Sequence, residues 1–256
     1  MTDYKTDFSI EKKTALVTGG GSGIGRQLAC VLATAGVNVV ITGRRKEALM
    51  GTIATIESAG GVARAIVCDL TDFSQLENNC QRFCEPFGSP DILINAAGVN
   101  LRQETSDITE QDWDLTLDIN LKVPFFIARH LIPAMKKKGD GKIINIASLQ
   151  SERAFANSLP YGASKGGIMQ MTRAMAEAWS QFGINCNAIA PGFFPTELTE
   201  AVFTDQQKVA SLAAQTATGR NGVLSDLNGP LLFLVSQASN YVTGQTLYID
   251  GGFTAK

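Results

Sequence analysis

Residues 14–25 read Thr14-Ala15-Leu16-Val17-Thr18-Gly19-Gly20-Gly21-Ser22-Gly23-Ile24-Gly25. The first five residues are mainly apolar or β-branched, which predicts a short buried strand. The glycines permit a tight turn, and a segment with helical spacing of apolar residues follows. A strand, a glycine-rich turn and a helix N-terminus in this order can bind a pyrophosphate, because the helix amides face the anion. The glycines at 19, 23 and 25 do not fit the ordinary Gly-x-Gly-x-x-Gly fingerprint.

The rest of the chain alternates strands and helices. The predicted strands are 14–18, 37–42, 63–68, 91–95, 142–147, 184–190 and 246–250, and helical spacing occurs at 25–35, 47–59, 73–87 and 168–181. This alternation predicts an α/β fold with a parallel sheet covered by helices on both faces. No linker-like composition divides the chain, so residues 1–256 are expected to form one domain. Within it, 192–220 is a long insertion of the kind that often forms a substrate lid.

Composition excludes several functional classes. The chain has 256 residues and a formal net charge of −2, and its one basic run, Lys136–Lys138, is expected to end a helix before Gly139. This balance argues against nucleic acid as a partner. The five cysteines form no Cys-x-x-Cys pair and the one histidine, His130, is expected on a helix surface, so we expect reduced thiols and no metal site. No signal-peptide pattern occurs at 1–7 and no apolar run has membrane-spanning length, so a cytoplasmic protein that does not bind membranes is expected.

The end of the second predicted strand bears on the choice of cofactor. A carboxylate about 20 residues beyond the glycine turn would bind the adenosine ribose hydroxyls and select NAD. At that place the chain has Gly43, followed by Arg44 and Arg45. A guanidinium there can pair with a 2′-phosphate through two hydrogen bonds, which favours NADP. The alternative is that the two arginines open a solvated helix, and use of NAD stays open.

Several short motifs then occur in a fixed order. They are Thr18 to Gly25, Cys68-Asp69-Leu70, Asn95-Ala96-Ala97-Gly98, Asp118-Ile119-Asn120, Ser148, Tyr161-Gly162-Ala163-Ser164-Lys165, Pro191-Gly192-Phe193-Phe194-Pro195-Thr196, Thr243-Gly244-Gln245 and Asp250-Gly251-Gly252. Over essentially its whole length the chain resembles the short-chain dehydrogenase/reductase family. The resemblance implies a doubly wound, Rossmann-type sheet of seven parallel strands, oxidoreductase activity with NADP or NAD, and a catalytic tetrad of Asn120, Ser148, Tyr161 and Lys165.

The chemistry of Tyr161 and Lys165 also follows from first principles. Hydride transfer to or from a carbinol carbon must be matched by a proton on its oxygen, so a positioned acid/base is needed. Tyrosine has an unperturbed pKa of about 10. Lys165 lies at i+4 on the same helix face, so its ammonium is expected to lower the pKa of Tyr161. Ser148 is expected to orient and polarise the substrate oxygen. In the family, the lysine also holds the nicotinamide ribose, and the asparagine anchors a water that links the lysine to solvent.

The resemblance assigns further residues to the cofactor. Asp69 matches the carboxylate that binds the adenine amino group, and Asn95 and Gly98 match the segment along the adenosine ribose. Residues 189–192 and Thr196 match the stretch that fixes the nicotinamide amide. NADP-selective relatives often carry a basic residue just before the middle glycine, where this chain has Ser22. The expected cofactor residues are Gly19, Ser22, Gly23, Ile24, Gly25, Arg44, Asp69, Leu70, Asn95, Gly98, Tyr161, Lys165, Pro191, Gly192, Phe194 and Thr196.

Three segments, 99–108, 149–159 and 192–220, are expected to form the substrate wall. Their polar residues suit a polyhydroxylated substrate better than a steroid or a long acyl chain. Residues 150–152, Arg102 and 190–194 resemble the gluconate 5-dehydrogenases and related sugar-acid dehydrogenases of the family, so the expected reaction is reversible oxidation of a secondary alcohol on a sugar acid or polyol. Arg102 or Arg153 would clamp a substrate carboxylate, unless these charges face solvent at the rim. The expected substrate contacts are Arg102, Gln150, Glu152, Arg153 and Asn157.

Two other functions and an assembly are weighed beside this one. A β-ketoacyl thioester reductase of the same family would need a basic patch for an acidic carrier protein, and the chain offers Arg129 and the run that begins at Lys136. A cofactor-binding protein without turnover is the other alternative, against which the intact tetrad weighs. The family commonly forms tetramers through the helices that carry Asn120 and Tyr161 and through the C-terminal strand, so a homotetramer is expected.

Overall fold

One parallel sheet organises the protein, whose computed structural model describes residues 7–256. The strands are β1 (Thr14–Thr18), β2 (Asn38–Gly43), β3 (Val62–Val67), β4 (Ile92–Asn95), β5 (Gly141–Ile146), β6 (Ile184–Pro191) and β7 (Thr246–Ile249). They lie in the order β3-β2-β1-β4-β5-β6-β7, and every neighbouring pair is parallel. The predicted seven-stranded, doubly wound sheet is therefore confirmed. The interpretation of the first six residues falls outside the described residues.

Nine helices connect these strands within the described residues. They are α1 (Gly23–Thr34), α2 (Lys46–Ser58), α3 (Leu76–Cys84), α4 (Glu110–Leu117), α5 (Val123–Lys138), α6 (Leu159–Trp179), α7 (Glu200–Phe203), α8 (Gln206–Gln215) and α9 (Asn228–Val235). The helix predicted at 168–181 begins nine residues earlier, at Leu159. One continuous helix therefore carries both Tyr161 and Lys165.

The core consists of two main layers, one on each face of the sheet. Successive residues of β4 point to opposite faces: Ile92 and Ile94 pack in one layer and Leu93 in the other. The first layer is completed by α1, α2 and α9 with Leu28, Leu32, Leu49, Ile53, Leu231 and Leu234. The second is completed by α3, α5 and α6 with Leu76, Phe83, Ile127, Leu131 and Met175. Helices thus cover both faces, which explains why the strands are apolar on both sides.

The order of the strands decides where a ligand can bind. β1 pairs with β2 on one side and with β4 on the other, so that Thr18 lies beside Thr42 and Asn95. In a doubly wound sheet, the connections that leave these strands run to opposite faces, and a crevice opens at the carboxyl ends of the strands. The glycine turn that follows β1 therefore begins at the edge of this crevice.

The segment 192–220 crosses over the same end of the sheet. It contains α7 and α8, and no residue of α8 is buried. Asp205 caps the start of α8 by accepting hydrogen bonds from the amides of Gln207 and Lys208 at 3.0 and 3.1 Å. At the other end, Lys256 Nζ donates to the carbonyls of Ala214 and Thr216. Phe194 and Val202 of the segment are buried, so α8 is its most exposed part.

Two smaller predictions are confirmed on α5. The helix ends at Lys138, followed by Gly139 with φ +68°, so the basic run forms a helix C-terminus. His130 lies exposed on the same helix. Among residues 7–256, no helix combines the length and the apolar character needed to traverse a bilayer.

Lys142 on β5 is an ionisable side chain buried away from the crevice, with 1% exposure. Its Nζ donates to Asn185 Oδ1 at 2.6 Å and to Asn240 Oδ1 at 2.7 Å. Burial lowers the pKa of Lys142 to about 8. In the unfolded chain the pKa is about 10.4, so between these values the unfolded chain binds more protons and stability rises with pH.

We therefore expect the free energy of unfolding to increase by about 2–3 kcal/mol between pH 7.5 and 10.5, relative to a Lys142→Met variant that lacks this titration. Urea unfolding at a fixed protein concentration measures it. Lys137→Met, at an exposed position on α5, is the control and should run parallel to the wild type. Parallel curves for Lys142→Met and the wild type would contradict the prediction.

Candidate active site

A cleft of about 510 Å³ lies at the carboxyl ends of the strands. The loops that follow strands β1 to β6 line it, together with the start of α6 and the segment after Gly192. Because parallel strands end at one edge of the sheet, motifs that are far apart in sequence meet there. The predicted phosphate-binding turn and the predicted acid/base cluster share this cleft.

Two glycines of the turn, Gly19 and Gly25, lie too close to neighbouring backbone to carry a side chain. Gly19 has φ +68°, and an added Cβ would come within 2.8 Å of the Ala97 backbone. At Gly25, an added Cβ would lie 2.3 Å from the carbonyl oxygen of Gly19. The side chain of Ser22, the N-cap of α1, makes no capping hydrogen bond, so it leaves the first amides of the helix to a ligand. The turn therefore fits the phosphates of a dinucleotide.

Arg44, Arg45 and Asp69 lie together at the far end of the cleft. Asp69 Oδ1 accepts hydrogen bonds from the amide and the hydroxyl of Thr71 at 2.9 and 2.7 Å. Burial raises the pKa of Asp69, but these bonds and the charge of Arg44 outweigh it and hold the pKa below its usual value. Arg45 Nη2 donates to Ser22 Oγ at 3.1 Å, so the structure brings a second arginine to the turn, which the sequence did not single out as a cofactor residue.

Asn95 does not line the cleft as the resemblance implies. Its side chain is buried, and Nδ2 donates to Asn145 Oδ1 at 2.9 Å, which joins β4 to β5 inside the core. The reason is strand alternation. Asn95 is the last residue of β4, and its side chain points to the face of the sheet that α5 covers, where Nδ2 also lies 3.5 Å from the Pro124 carbonyl. The cleft is lined instead by the next residues, 96–98, which include Gly98.

Ser148, Tyr161 and Lys165 meet in the middle of the cleft. Ser148 follows β5, and its Oγ accepts a hydrogen bond from the Gln150 amide at 3.1 Å. Lys165 is buried and its Nζ donates to the carbonyl of Ile146 at 2.5 Å, while it lies 5.5 Å from the centre of the Tyr161 ring. The i+4 spacing thus places an ammonium beside the phenol, as predicted.

The pKa of Tyr161 corrects one expectation. Burial raises the pKa of Tyr161 above its ordinary value, and the hydrogen bond with Ser148 and the charge of Arg102 offset this only in part. Burial also lowers the pKa of Lys165 to about 8. Burial disfavours the charged form of both groups, although Lys165 remains mainly an ammonium at neutral pH. The sequence predicted a lowered pKa for Tyr161, and this is wrong for the protein without a bound cofactor, because burial outweighs the effect of the neighbouring charges.

Asn120 joins three elements beside this cluster. It lies in a π-helical turn, Asp118–Lys122, between α4 and α5. Its Oδ1 accepts from the Val99 amide at 2.8 Å, and its Nδ2 donates to the Val99 carbonyl and to Ser164 Oγ at 2.9 and 3.0 Å. Such turns are frequent at functional sites, but their sequence signal is weak, and the motif at 118–120 gave no indication of it. The side chain therefore fixes the loop after β4 against α6.

The remaining predicted cofactor residues also line the cleft. Gly192 has backbone of the C-terminal region close behind it, since an added Cβ would lie 2.8 Å from Asp250 Cα. Thr196 faces the glycine turn, because an added Cβ at Gly23 would meet Thr196 Cβ at 3.2 Å. The cleft-lining residues of the predicted set are Gly19, Ser22, Gly23, Ile24, Gly25, Arg44, Asp69, Leu70, Gly98, Tyr161, Lys165, Pro191, Gly192, Phe194 and Thr196.

Of the predicted substrate contacts, Arg102 and Gln150 line the cleft. Glu152, Arg153 and Asn157 do not line it. Burial and then the nearby charge of Glu152 raise the pKa of Tyr248, so Glu152 lies against β7. Arg153 Nη2 reaches the carbonyl of Lys256 at 3.5 Å, and Asn157 Nδ2 donates to Glu104 at 2.8 Å. Local sequence could not reveal this because the loop after β5 turns these side chains outward.

The backbone of this region is left-handed at two places. Arg102 has φ +49° and Asn157 has φ +57°, and within residues 7–256 the only other non-glycine residue with positive φ is Lys12. Such conformations cost about 1 kcal/mol or more for most residues and concentrate at functional sites. Both loops that flank the predicted substrate position thus hold a residue in the left-handed region, which is unfavourable for Arg102 and readily adopted by asparagine.

One wall of the cleft is more apolar than the sequence indicated. Phe155 and Phe193 line it, and Phe253 packs behind them, with ring centres 5.7 to 6.2 Å apart. Arg102, Gln150 and Asn100 provide polar groups elsewhere in the cleft. The site therefore offers an aromatic wall together with a few polar groups, an arrangement common in small-molecule sites.

A doubly wound sheet with a phosphate-binding turn facing a Ser-Tyr-Lys cluster defines a class of dinucleotide-dependent oxidoreductases. Comparison with known proteins supports the same class. A sequence model of the family described as enoyl-(acyl carrier protein) reductase matches residues 19–254. Gluconate 5-dehydrogenase of Gluconobacter oxydans (strain 621H) is 39% identical over 251 residues, which are 96% of this chain and 96% of that protein.

Two further relatives extend the comparison. 2-Dehydro-3-deoxy-D-gluconate 5-dehydrogenase of Escherichia coli (strain K12) is 38% identical over 250 residues, 97% of this chain and 98% of that protein. The crystal structure of a gluconate 5-dehydrogenase from Burkholderia cenocepacia J2315, in complex with NADP and tartrate, is 37% identical with a TM-score of 0.93, covering 99% of this chain and 100% of that chain. The protein belongs to the short-chain dehydrogenase/reductase family.

Proposed function

We propose that the protein is an NADP-dependent oxidoreductase that interconverts a secondary alcohol and a ketone on a sugar acid, with NAD as a weaker alternative cofactor. The observation that carries the proposal is the position of Ser148, Tyr161 and Lys165 in the same cleft as the glycine turn. The names of the relatives support the choice of a sugar acid. Arg102 supplies a positive charge at the cleft to bind a carboxylate.

The proton is handled by the residues of the cluster. When bound, the nicotinamide accepts the hydride in oxidation and returns it in reduction. In oxidation, Tyr161 as phenolate takes the proton of the alcohol, and in reduction the phenol donates it to the ketone oxygen. Ser148 hydrogen-bonds the same oxygen and orients it. Lys165 stabilises the phenolate, and Asn120 holds α6 against the loop after β4 so that these groups keep their places.

The raised pKa of Tyr161 has a consequence for the direction of the reaction. A neutral phenol is the acid that ketone reduction needs, whereas oxidation needs the phenolate. Since burial raises the pKa of Tyr161 in the free protein, oxidation should speed up as the pH rises and reduction should be favoured near neutral pH. The positive charge of a bound oxidised nicotinamide would oppose this shift.

The choice of NADP rests on the arginines at the end of β2. Arg44 and Arg45 both line the cleft beyond the glycine turn, where the adenosine ribose binds in folds of this type. Two guanidinium groups suit the two negative charges of a 2′-phosphate, and they offer little to a ribose hydroxyl pair. The Burkholderia relative was crystallised with NADP.

The substrate class is tested by a panel of reactions. Reduction of NADP⁺ and of NAD⁺ is measured over sugar acids, polyols and simple alcohols at the same concentrations. We expect the highest kcat/KM for a sugar acid with NADP⁺. Activity confined to hydrophobic alcohols or to acyl thioesters would overturn the proposal.

A thioester reductase is the second candidate, because Phe155 and Phe193 give the cleft an apolar wall. It differs from the first candidate in what Arg102 does. An acyl thioester has no carboxylate at the cleft, so Arg102 would contribute nothing to its binding, whereas a sugar acid would depend on it. The same variant therefore separates the two candidates.

For Arg102→Gln we expect KM for a sugar acid to rise by about 10- to 100-fold, because the substitution removes a hydrogen bond to a charged group. Steady-state kinetics with gluconate measures this, and a neutral polyol should be affected much less. Because the charge of Arg102 lowers the pKa of Tyr161, the rise of oxidation with pH should also move to higher pH. Arg153→Gln removes the same charge outside the cleft and serves as the control. Equal effects of the two substitutions would contradict the assignment.

The proposal also covers the domain organisation, the assembly and the location of the protein. Residues 1–256 act as one catalytic domain, in which 192–220 is a lid over the cleft; Lys256 holds the end of α8. The protein is a homotetramer that uses the helices next to Asn120 (α4 and α5), the helix that carries Tyr161 (α6) and the edge strand β7; Trp113 on α4 and Leu247 on β7 are exposed. Its five free thiols suit the cytoplasm. Light scattering coupled to size-exclusion chromatography measures the molar mass of the assembly and so tests whether it is a tetramer.

A further inference from the structure

An ion pair joins the two sides of the cleft at its adenosine end. Arg45, the N-cap of α2, lies two residues after the end of β2, and Glu197 follows Thr196 in the first part of the lid. Arg45 Nη2 donates to Glu197 Oε2 at 2.5 Å and to Ser22 Oγ at 3.1 Å. The two charged residues are 152 positions apart in sequence. The pair therefore connects the glycine turn, the second strand and the lid.

Glu197 binds a terminal nitrogen of Arg45 that a phosphate could also use. Ser22, Arg44, Arg45 and Glu197 all line the cleft, and the 2′ position of the adenosine ribose lies at the end of the second strand in this type of fold. A carboxylate and a phosphate use the same N–H groups of a guanidinium. The carboxylate of Glu197 thus binds the group that would bind a 2′-phosphate.

The pair is charged but exchangeable. The hydrogen bond from Arg45 lowers the pKa of Glu197, and the same bond raises that of Arg45, so both are ionised at neutral pH. Their side chains are 60% and 58% exposed. Exposed pairs contribute little to stability, because water screens them. A dianionic phosphate can therefore displace the carboxylate of Glu197 from Arg45. The displaced carboxylate stays nearby, however, and repels the phosphate.

We propose that Glu197 is a specificity-determining residue: its carboxylate competes with the 2′-phosphate of NADP(H) for Arg45 and so narrows the preference for NADP(H) over NAD(H). NAD(H), with a 2′-hydroxyl, leaves the pair intact. The inference rests on the proposed function, in which this cleft binds a dinucleotide.

The test is the dissociation constant of NADPH and of NADH for the wild type and for Glu197→Gln, from the fluorescence of the reduced nicotinamide. Glutamine keeps the size of the side chain and removes its charge. We expect NADPH to bind about three- to tenfold more tightly and NADH to change by less than about twofold, since an exposed ion pair and a nearby like charge are removed for one ligand only. The gain should shrink at high salt, because the charges are exposed. The pair 2′,5′-ADP and 5′-AMP should show the same difference without the nicotinamide.

Two control variants isolate the contact with Arg45. Glu200→Gln removes a charge from the same segment at an exposed position that makes no salt bridge within residues 7–256, and it should leave both constants unchanged. In an Arg45→Gln background, Glu197→Gln should have a clearly smaller effect on NADPH, because only the repulsion between the carboxylate and the phosphate is left to remove. An equal change for both dinucleotides, no change for NADPH, or the same gain from Glu200→Gln would overturn the inference. A wild type that binds neither dinucleotide would contradict the proposed function as well, whereas normal binding without a Glu197 effect would contradict the inference alone.

Discussion

Replacing Tyr161 by Phe is expected to lower kcat in both directions by about 10³- to 10⁴-fold, the upper part of the range for general acid/base catalysis. The ring stays and fills the same space, and only the oxygen that exchanges the proton is lost. The dissociation constant of NADPH should change by less than about twofold. Steady-state assays measure kcat, and a fluorescence titration with the same preparation measures the dissociation constant of NADPH.

The matched control is Tyr241→Phe, because Tyr241 is fully exposed and away from the cleft. It should have wild-type turnover. Substantial activity in Tyr161→Phe would contradict the role of the phenol. A wild type that binds NADPH but turns over no member of the substrate panel would instead support a cofactor-binding protein without catalysis.

Replacing Gly25 by Ala should weaken NADPH binding by more than about 100-fold. The added Cβ would lie 2.3 Å from the carbonyl oxygen of Gly19, so the turn has to move. The amides of the turn and of the start of α1 then lose their alignment with the phosphates, and each hydrogen bond to a charged group is worth about 1.5–3 kcal/mol. Stability should also fall by about 1–3 kcal/mol, as in other overpacked sites. Titration with NADPH and thermal unfolding check both effects.

Gly51→Ala is the control for this substitution. Gly51 also lies in a helix, α2, and an added Cβ there would meet nothing within 4 Å. Alanine favours a helix over glycine by about 1 kcal/mol, so the control should be as stable as the wild type or more stable. Normal NADPH affinity in Gly25→Ala would show that the glycine turn does not hold the phosphates.

The fold was predictable because its signals are local and repeat. Apolar runs placed β1 at Thr14–Thr18 without error and the other six strands within one residue at each end. The spacing of Tyr161 and Lys165 placed two groups of the site on one helix face, which depends only on helix geometry. The glycine turn was recognisable because close backbone approach requires glycine at positions such as Gly25.

Features that depend on side chains far apart in sequence were not predictable. The inward direction of Asn95 and the outward direction of Arg153 follow from how β4 and the loop after β5 pack, which no local pattern records. The π-helical turn around Asn120 has a weak sequence signal. The pKa of Tyr161 depends on burial as well as on the neighbouring charge, and only the neighbour was visible in the sequence.

Direct hydride transfer in this cleft, coupled to a proton at Tyr161, can be followed with an isotope. The protein is incubated with NADP⁺ and gluconate that carries deuterium at every carbon-bound position, and the nicotinamide product is analysed by mass spectrometry. We predict one deuterium per NADPH formed, in equal amount to the keto acid. Absence of NADPH formation, or NADPH without deuterium, would contradict the account.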